Sequence, residues 1–188
     1  PRIEGAGVLA LIPALISSDG ASVAVREKTC NLIGNLCKHS DRFLAAIGRE
    51  SVLRSLCECT ANAQSANMRR FACYAIGNIA YQTTRGRARS PSHSHSAIEL
   101  TRCIEPLARR LSDRDFKTQE NAAGAIGNLV SSPSAAVIAE FTKHGVVRLL
   151  LRQIRQSGHL CVVRNCLYSL SNVCHFGAIK AAMAEAEG

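Results

Sequence analysis

Four asparagines recur in the same local setting, and each carries an amide that can both donate and accept hydrogen bonds. They are Asn35, Asn78, Asn128 and Asn172, spaced 43, 50 and 44 residues apart. An extended peptide has unpaired backbone N–H and C=O groups, and an asparagine amide can donate to one and accept from the other. We therefore predict that the four asparagines line a groove that binds the backbone of an extended peptide. The alternative is that the amides tie helix ends and loops of the protein itself together.

Side chains four residues before and three residues after each asparagine lie on the same helical face as its amide. Tyrosine, lysine and histidine side chains occupy several of these positions, namely Tyr74, Tyr81, Tyr168, Lys38 and His175. Tyrosine is favoured at binding hot spots. We expect the three rings either to anchor a bound segment or to pack half-buried between helices.

A row of arginines forms a second candidate surface. Arg148, Arg152 and Arg155 recur at i, i+4 and i+7 on one helix, and Arg109 and Arg110 could extend the row. Such a stripe can bind an acidic partner or a phosphate surface, although a solvated helix face is the commoner origin of this pattern. The sequence leaves both interpretations open.

Ser90 lies in a candidate modification site. Arg85, Arg87 and Arg89 precede the pair Ser90-Pro91, which is the pattern of a basic, proline-directed phosphorylation site. Short motifs of this kind also arise by chance, so an unmodified surface serine is the alternative.

Histidines and cysteines form no convincing metal site in the sequence. His93 and His95 have no cysteine or acid nearby, and Cys57 and Cys59 point apart on one helix. The sequence also contains no nucleotide-binding, kinase, hydrolase or metalloprotease motif. We therefore expect no metal, no cofactor and no catalytic activity in this chain.

The composition narrows the class of protein. The 188 residues are 47% hydrophobic and carry a net charge of +9, which favours an acidic partner. Tryptophan is absent and 4% of residues are aromatic, so a platform that stacks nucleic-acid bases is disfavoured. No apolar run is long enough to span a membrane. Nine cysteines without paired CxxC motifs suit a reducing compartment, so we expect a cytoplasmic protein.

The asparagines belong to an internal repeat. Similar segments surround them, TCNLIGNLCKH (29–39), FACYAIGNIAYQ (71–82), NAAGAIGNLVSS (121–132) and NCLYSLSNVCHF (165–176). With each asparagine as position zero, positions −6, −5, −2, +1 and +2 fall on one helical face and are nearly all apolar. In the fourth segment these positions are Cys166, Leu167, Leu170, Val173 and Cys174. The asparagines lie opposite this face, so we expect them to contribute little to the core.

Shorter helices precede each of these segments. The sequence predicts apolar helices at Val8–Ile16, Val52–Cys59, Ile104–Leu111 and Val146–Ile154, and shorter pieces at Arg42–Ile47 and Ala135–Phe141. A period of 40–47 residues with three helices per unit favours armadillo over HEAT repeats. We predict an all-α, right-handed α-solenoid of about four armadillo units, at 1–40, 41–83, 97–132 and 133–176, with the start of a further helix at 177–188. Because the chain begins with Pro1 and both ends resemble cut repeats, we expect a piece of a longer protein.

The second and third units are separated by a longer interval than the others. The surplus falls in TTRGRARSPSHSHS (83–96), a basic and serine-rich stretch. We interpret this stretch as a mobile surface loop inserted between two units.

Three segments resemble a particular family. RRFACYAIGNIAY (69–81), DFKTQENAAGAIGNLV (115–130) and NCLYSLSNVCHF (165–176) resemble, in the same order, the C-terminal armadillo region of Fused-family serine/threonine kinases. The resemblance runs from about Val25 to Phe176. It implies a kinase domain upstream of this chain and roles in Hedgehog signalling, motile cilia or cytokinesis.

These observations favour a non-catalytic scaffold that binds other proteins, with an extended or acidic segment in the groove. One alternative is a stand-alone armadillo adaptor of the catenin or importin kind. The importin-α family keeps a tryptophan four residues before the asparagine, and this chain has none. A second alternative is a basic protein that binds nucleic acid or another anionic surface through its charge. The resemblance adds association with the cytoskeleton or the cilium to the expected cytoplasmic location.

Overall fold

The structure, a computed structural model, describes residues 7–17, 20–62, 64–89 and 100–186, with the backbone alone at 87–89. Helices account for most of these residues, and no strand occurs among them. The helices are α1 (Val8–Ile16), α2 (Val23–His39), α3 (Leu44–Ile47), α4 (Glu50–Thr60), α5 (Ala66–Arg89), α6 (Ile104–Arg110), α7 (Phe116–Leu129), α8 (Ala135–Lys143), α9 (Val146–Gln156), α10 (Leu160–Val173) and α11 (Gly177–Glu185). A 3₁₀ turn at Thr101–Cys103 precedes α6.

Local sequence explains where several helices begin. Ser22 caps α2 by accepting a hydrogen bond from the backbone N–H of Val25, and Asp115 caps α7 by accepting one from Thr118. Helix α9 follows Gly145, whose positive φ of 60° turns the chain sharply after α8. Ser22, Asp115 and Gly145 therefore mark where α2, α7 and α9 begin.

The chain divides into two compact units, residues 1–99 and 100–188. In the first unit α2 packs along α5, with α1 and α4 against the sides of these two helices. In the second unit α7 packs along α10, with α6 against α7 and α9 against α10. Each unit therefore contains one pair of long neighbouring helices, which we call the third helices because each is the third helix of a predicted repeat.

The apolar face predicted for the third helices forms the core of each unit. Ile33, Ile76 and Ile126, at position −2, are at most 1% exposed. The prediction is wrong at two positions of the fourth segment, because Leu167 is 52% exposed and Cys174 is exposed. In α2, α5 and α7 the equivalent positions are buried, whereas no described residue covers them on α10.

The predicted loop at 83–96 is wrong for residues 83–89, because α5 continues to Arg89. Thr83 and Thr84 are 4% and 7% exposed, and their hydroxyls donate to the carbonyls of Ile79 and Ala80 within the helix. These hydrogen bonds satisfy the two buried hydroxyls within the helix. The segment can therefore be helical, although its composition favoured a loop. Residues 90–96, including Ser90, lie outside the described part of the chain.

Candidate functional site

In the first unit the asparagine amide of α5 bonds to the backbone of α2. Asn78 donates from Nδ2 to the carbonyl of Gly34 at 3.0 Å. One turn further along α5, buried Gln82 donates to the carbonyl of Cys37 at 2.9 Å. These two amides lie on the side of α5 that faces α2, so they join neighbouring third helices through hydrogen bonds.

The second unit repeats this arrangement with three bonds. Asn172 of α10 donates from Nδ2 to the carbonyl of Gly127 at 3.1 Å. Asn165 donates to Glu120 at 3.0 Å, and the buried Ser169 hydroxyl donates to Ala123 at 2.9 Å. All three acceptors are backbone carbonyls of α7. The later helix of each pair thus presents side-chain donors, and the earlier helix presents carbonyl oxygens.

Two tyrosines pack against glycines of the preceding third helix. A Cβ added to Gly34 would lie 2.3 Å from Cδ1 of Tyr74, and one added to Gly127 would lie 2.5 Å from Cδ1 of Tyr168. Such distances are far inside van der Waals contact, so only glycine fits beneath each ring. This packing explains why glycine directly precedes Asn35 and Asn128.

The asparagines were expected to contribute little to the core. Asn78 and Asn172 are half-buried, and each also joins two helices through a hydrogen bond to a backbone carbonyl. Each NH₂ group has a second hydrogen, and each side chain has an oxygen with two lone pairs. Asn35 is exposed, and its Oδ1 accepts a hydrogen bond from the Tyr74 hydroxyl at 3.2 Å. Asn128 is half-buried. Binding of a partner backbone by these amides stays a prediction.

The remaining groove residues lie at the surface. Tyr81 is 40% exposed, and the Arg85 guanidinium lies 5.8 Å from its ring centroid while donating to its hydroxyl at 3.2 Å. Lys38 is exposed on α2. His175 is exposed after α10, with its ring 4.1 Å from that of Phe176. The first unit therefore combines an exposed amide, an exposed tyrosine and cations on its third helices.

The arginine stripe is exposed along α9, but two of its members contact neighbouring segments. Arg152 donates to the Ser112 hydroxyl after α6, and Arg155 donates to the carbonyl of Ala186 at 3.4 Å. Arg148 is exposed. Within the described residues, none of the three pairs with a carboxylate.

The two arginines of α6 are partly neutralised. Arg109 pairs with Glu105 at 2.5 Å, and Arg110 pairs with Asp113 at 3.0 Å. An extension of the stripe onto α6 therefore adds less positive charge than the sequence suggested.

The described cysteines are free thiols in different environments. Burial raises the pKa of Cys37 and of Cys166 to about 12. A hydrogen bond from Cys30 and the neighbouring Arg26 guanidinium, 3.3 Å from the sulfur, lower the pKa of Cys59 despite its burial. No group of three or more metal-ligating side chains is found in the described part of the chain, and His93 and His95 lie outside it. No helix among the described residues is long and apolar enough to cross a membrane.

The sequence missed the residues that join the helices. Gln82, Asn165 and Ser169 donate to a neighbouring third helix, although none of them shares the position of the four asparagines. The Gly-Asn pairs at 34–35, 77–78 and 127–128 were a usable signal, because a glycine that recurs at the same place in repeated helices indicates close approach of another element.

Comparisons with known proteins agree with this architecture. The profile of the Armadillo/beta-catenin-like repeat matches residues 95–131. A designed armadillo repeat protein in complex with the peptide (KR)₄ is similar with a TM-score of 0.79 at 20% identity, over 99% of this chain and 73% of that chain. The chain has the armadillo-repeat fold.

Other solved structures are similar to the same degree. Computationally designed armadillo repeat proteins for modular peptide recognition match with a TM-score of 0.79 at 21% identity, over 99% of this chain and 73% of that chain. An engineered protein from a structural genomics programme matches with a TM-score of 0.81 at 20% identity, over 99% and 72%. No curated protein sequence gives a significant match. The chain is thus an all-α α-solenoid by fold class.

Proposed function

We propose that this chain is a protein-interaction module that binds an extended acidic segment of a partner across the exposed side of α2 and α5, the third helices of its first unit. The observation that carries the proposal is the exposed set formed by Asn35, Lys38 and Tyr81 in the first unit. It offers hydrogen bonding, positive charge and a partly exposed aromatic ring on neighbouring helices, which together suit an extended peptide with acidic side chains.

The charge pattern supports an acidic rather than a basic segment. Positions −4, 0 and +3 of the four repeats carry no aspartate or glutamate, and they include Lys38 and His175. The whole chain carries a net charge of +9. The designed armadillo protein of similar fold holds the basic peptide (KR)₄, whereas a chain with this charge repels such a peptide.

A pair of labelled octapeptides tests the proposal. We expect fluorescence anisotropy to show that (DE)₄ binds at concentrations where (KR)₄ does not. The double variant Lys38→Glu with Tyr81→Ala should weaken the binding of (DE)₄ by about tenfold or more. The first substitution reverses a charge, and the second removes an aromatic ring.

Lys180→Glu is the matched control, because it makes the same charge reversal at an exposed lysine on α11. The proposal fails if both peptides bind equally, or if Lys180→Glu weakens (DE)₄ as much as the double variant does. Equal loss in both variants would point to the net charge of the whole protein, which would support the alternative of a general binder of anionic surfaces.

A finer identity is part of the same proposal. We propose that the chain is the partner-binding region of a Fused-like serine/threonine kinase, with a cytoplasmic, cytoskeletal or ciliary location. The segments RRFACYAIGNIAY (69–81) and DFKTQENAAGAIGNLV (115–130) support this. Sequencing the complete transcript tests it, because a kinase catalytic motif set encoded upstream is expected, and an upstream region without one would favour a stand-alone adaptor.

A further inference from the structure

Two buried thiols and a guanidinium group meet inside the first unit. Cys30 of α2 and Cys59 of α4 are both fully buried, and their side chains share a hydrogen bond. Nη2 of Arg26 donates to Sγ of Cys59 at 3.3 Å. The two cysteines lie far apart in the sequence, so no spacing motif reveals the pair. None of these three residues belongs to the proposed peptide site.

A second hydrogen bond orients Arg26. Its Nε donates to the backbone carbonyl of Ile16, the last residue of α1, at 3.1 Å. The guanidinium is therefore held by α1 on one side while Nη2 points to the sulfur on α4. Arg26 is half-buried, so its side chain extends from the surface of the unit to a sulfur that is itself fully buried.

The surrounding groups favour a negative charge on Cys59 and a proton on Cys30. The hydrogen bond from Cys30 and the Arg26 guanidinium lower the pKa of Cys59. Burial and the carboxylate of the exposed Glu58 act in the opposite direction, but they are outweighed. The shared hydrogen bond and burial raise the pKa of Cys30, and a third thiol, Cys73 of α5, adds to this rise.

A thiolate in contact with a protonated thiol is suited to oxidation. The thiolate is the nucleophilic form of cysteine, and a neighbouring cation makes it available at lower pH. A second thiol beside it can then convert the oxidised sulfur into a disulfide. Because the two sulfurs share a hydrogen bond, they are already in contact, as the formation of a disulfide requires.

We propose that Cys30 and Cys59 form a modification site that a hydroperoxide oxidises to a disulfide. The Cys59 thiolate attacks hydrogen peroxide, so that an S–O bond forms, the O–O bond breaks and hydroxide leaves. The Cys30 sulfur then attacks Cys59, the S–S bond forms, and the hydroxyl group leaves as water with the Cys30 proton. The two sulfurs together lose two electrons, which the peroxide gains. Thiol reductants reverse the change.

Cys37, on the same helix as Cys30, provides an internal comparison. It is also fully buried, and burial raises its pKa to about 12, so almost none of it is thiolate at neutral pH. If burial alone controlled oxidation, Cys37 and Cys59 would react equally slowly. A faster reaction of Cys59 therefore reports the effect of Cys30 and Arg26.

Peptide mapping of the oxidised full chain tests the proposal. The folded protein is treated with hydrogen peroxide at neutral pH, the remaining thiols are blocked with N-ethylmaleimide in denaturant, and fragment spectra locate each bond. A Cys30–Cys59 linkage is expected while Cys37 is still a free thiol, and dithiothreitol should remove that linkage. The proposal is overturned if Cys59 is oxidised no faster than Cys37, if Cys59 accumulates as sulfinic acid, or if Cys30 pairs with Cys73.

Arg26→Met tests the role of the guanidinium, after circular dichroism has shown that the variant is folded. Without the cation the pKa of Cys59 rises, so oxidation should be several-fold slower at neutral pH and the midpoint of the rate against pH should move to higher pH. Arg54→Met is the matched control, because Arg54 is an exposed arginine of α4 that pairs with Glu50. An unchanged midpoint in Arg26→Met, or the same shift in Arg54→Met, would overturn the proposal.

Discussion

The side-chain amide of Asn172 donates a hydrogen bond to the backbone carbonyl of Gly127, 3.1 Å away on the neighbouring third helix. The ring of Tyr168, one turn earlier on the same helix, packs on the same glycine. Asn78, Tyr74 and Gly34 repeat this relationship in the first unit. In each unit a glycine of the earlier third helix therefore joins the pair, because a tyrosine ring of the later helix packs on it and an asparagine side chain of the later helix donates a hydrogen bond to its backbone carbonyl.

Gly127→Ala is predicted to destabilise the fold. The added Cβ would lie 2.5 Å from Cδ1 of Tyr168, and relieving such a clash costs about 1–3 kcal/mol of unfolding free energy. Gly86→Ala is the control, since Gly86 also lies within a helix and nothing stands within 4 Å of the added Cβ. We expect Gly86→Ala to be neutral or slightly stabilising, because alanine is favoured over glycine within helices.

Urea denaturation measures both variants, and Tyr168→Ala in the Gly127→Ala background tests the cause. If the ring is what clashes, the double variant loses less stability than the sum of the two single variants. Additive losses would show that glycine is required at this position for another reason.

Asn172→Ala and Ser169→Ala are each predicted to lower the unfolding free energy by about 0.5–1.5 kcal/mol, because each removes one hydrogen bond between third helices. Asn35→Ala should cost less, since the Asn35 side chain is exposed and, among the described residues, bonds only to the Tyr74 hydroxyl. Ile76→Ala is the reference for a large effect. It should lower the unfolding free energy by about 2–5 kcal/mol, because it leaves a cavity in the core. Equal stability of Asn172→Ala and wild type in urea titrations would refute the structural role of the amide.

The continuation of α5 through residues 83–89 predicts slow hydrogen exchange where the composition favoured a loop. The backbone amides of Thr84 and Arg85 lie within the helix, and the Thr83 and Thr84 side chains are buried. We expect these amides to exchange more slowly than those of Ser131 and Ser132, which lie in an exposed turn after α7. Exchange at equal rates in the two segments would contradict the helical assignment.

Thiol labelling should separate the cysteines by exposure and pKa. Cys174 is exposed and should react first with iodoacetamide. Cys37 and Cys166 are buried, and burial raises the pKa of each to about 12, so at pH 8 almost none of either is the reactive thiolate. Mass spectrometry of the labelled chain checks this order, with denatured protein as the reference. Early labelling of Cys166 would show that α10 opens readily.

The sequence predicted the helices well because their apolar periodicity is strong. The α1 bounds were predicted without error, and the buried position −2 was correct in α2, α5 and α7. The prediction of burial was wrong at Leu167 and Cys174. Periodicity shows which face of a helix is apolar, but it does not show whether another helix covers that face. The prediction of a loop at 83–96 was wrong for the residues within α5. There the Thr83 and Thr84 hydroxyls donate hydrogen bonds to backbone carbonyls of the same helix, which composition does not reveal.

The candidate site was harder to predict than the fold. Helical geometry placed the asparagines on the correct side, opposite the apolar face, but it could not show that a second helix lies there. Asn78 and Asn172 are half-buried, because each bonds to a neighbouring helix while also lying beside the candidate surface. Asn35, Lys38 and Tyr81 are exposed. The pairing of a donor on one helix with a carbonyl on another depends on packing distance, which a single sequence does not contain.

The location of a bound acidic peptide tests the central claim most directly. Chemical-shift mapping of ¹⁵N-labelled protein titrated with (DE)₄ reports every amide near the peptide. We predict that the shifts concentrate on the third helices, at the Asn35 and Asn78 side-chain amides and the backbone around Lys38 and Tyr81. Shifts confined to Arg148, Arg152 and Arg155 on α9, with the third helices unchanged, would contradict the account and move the binding surface to the arginine stripe.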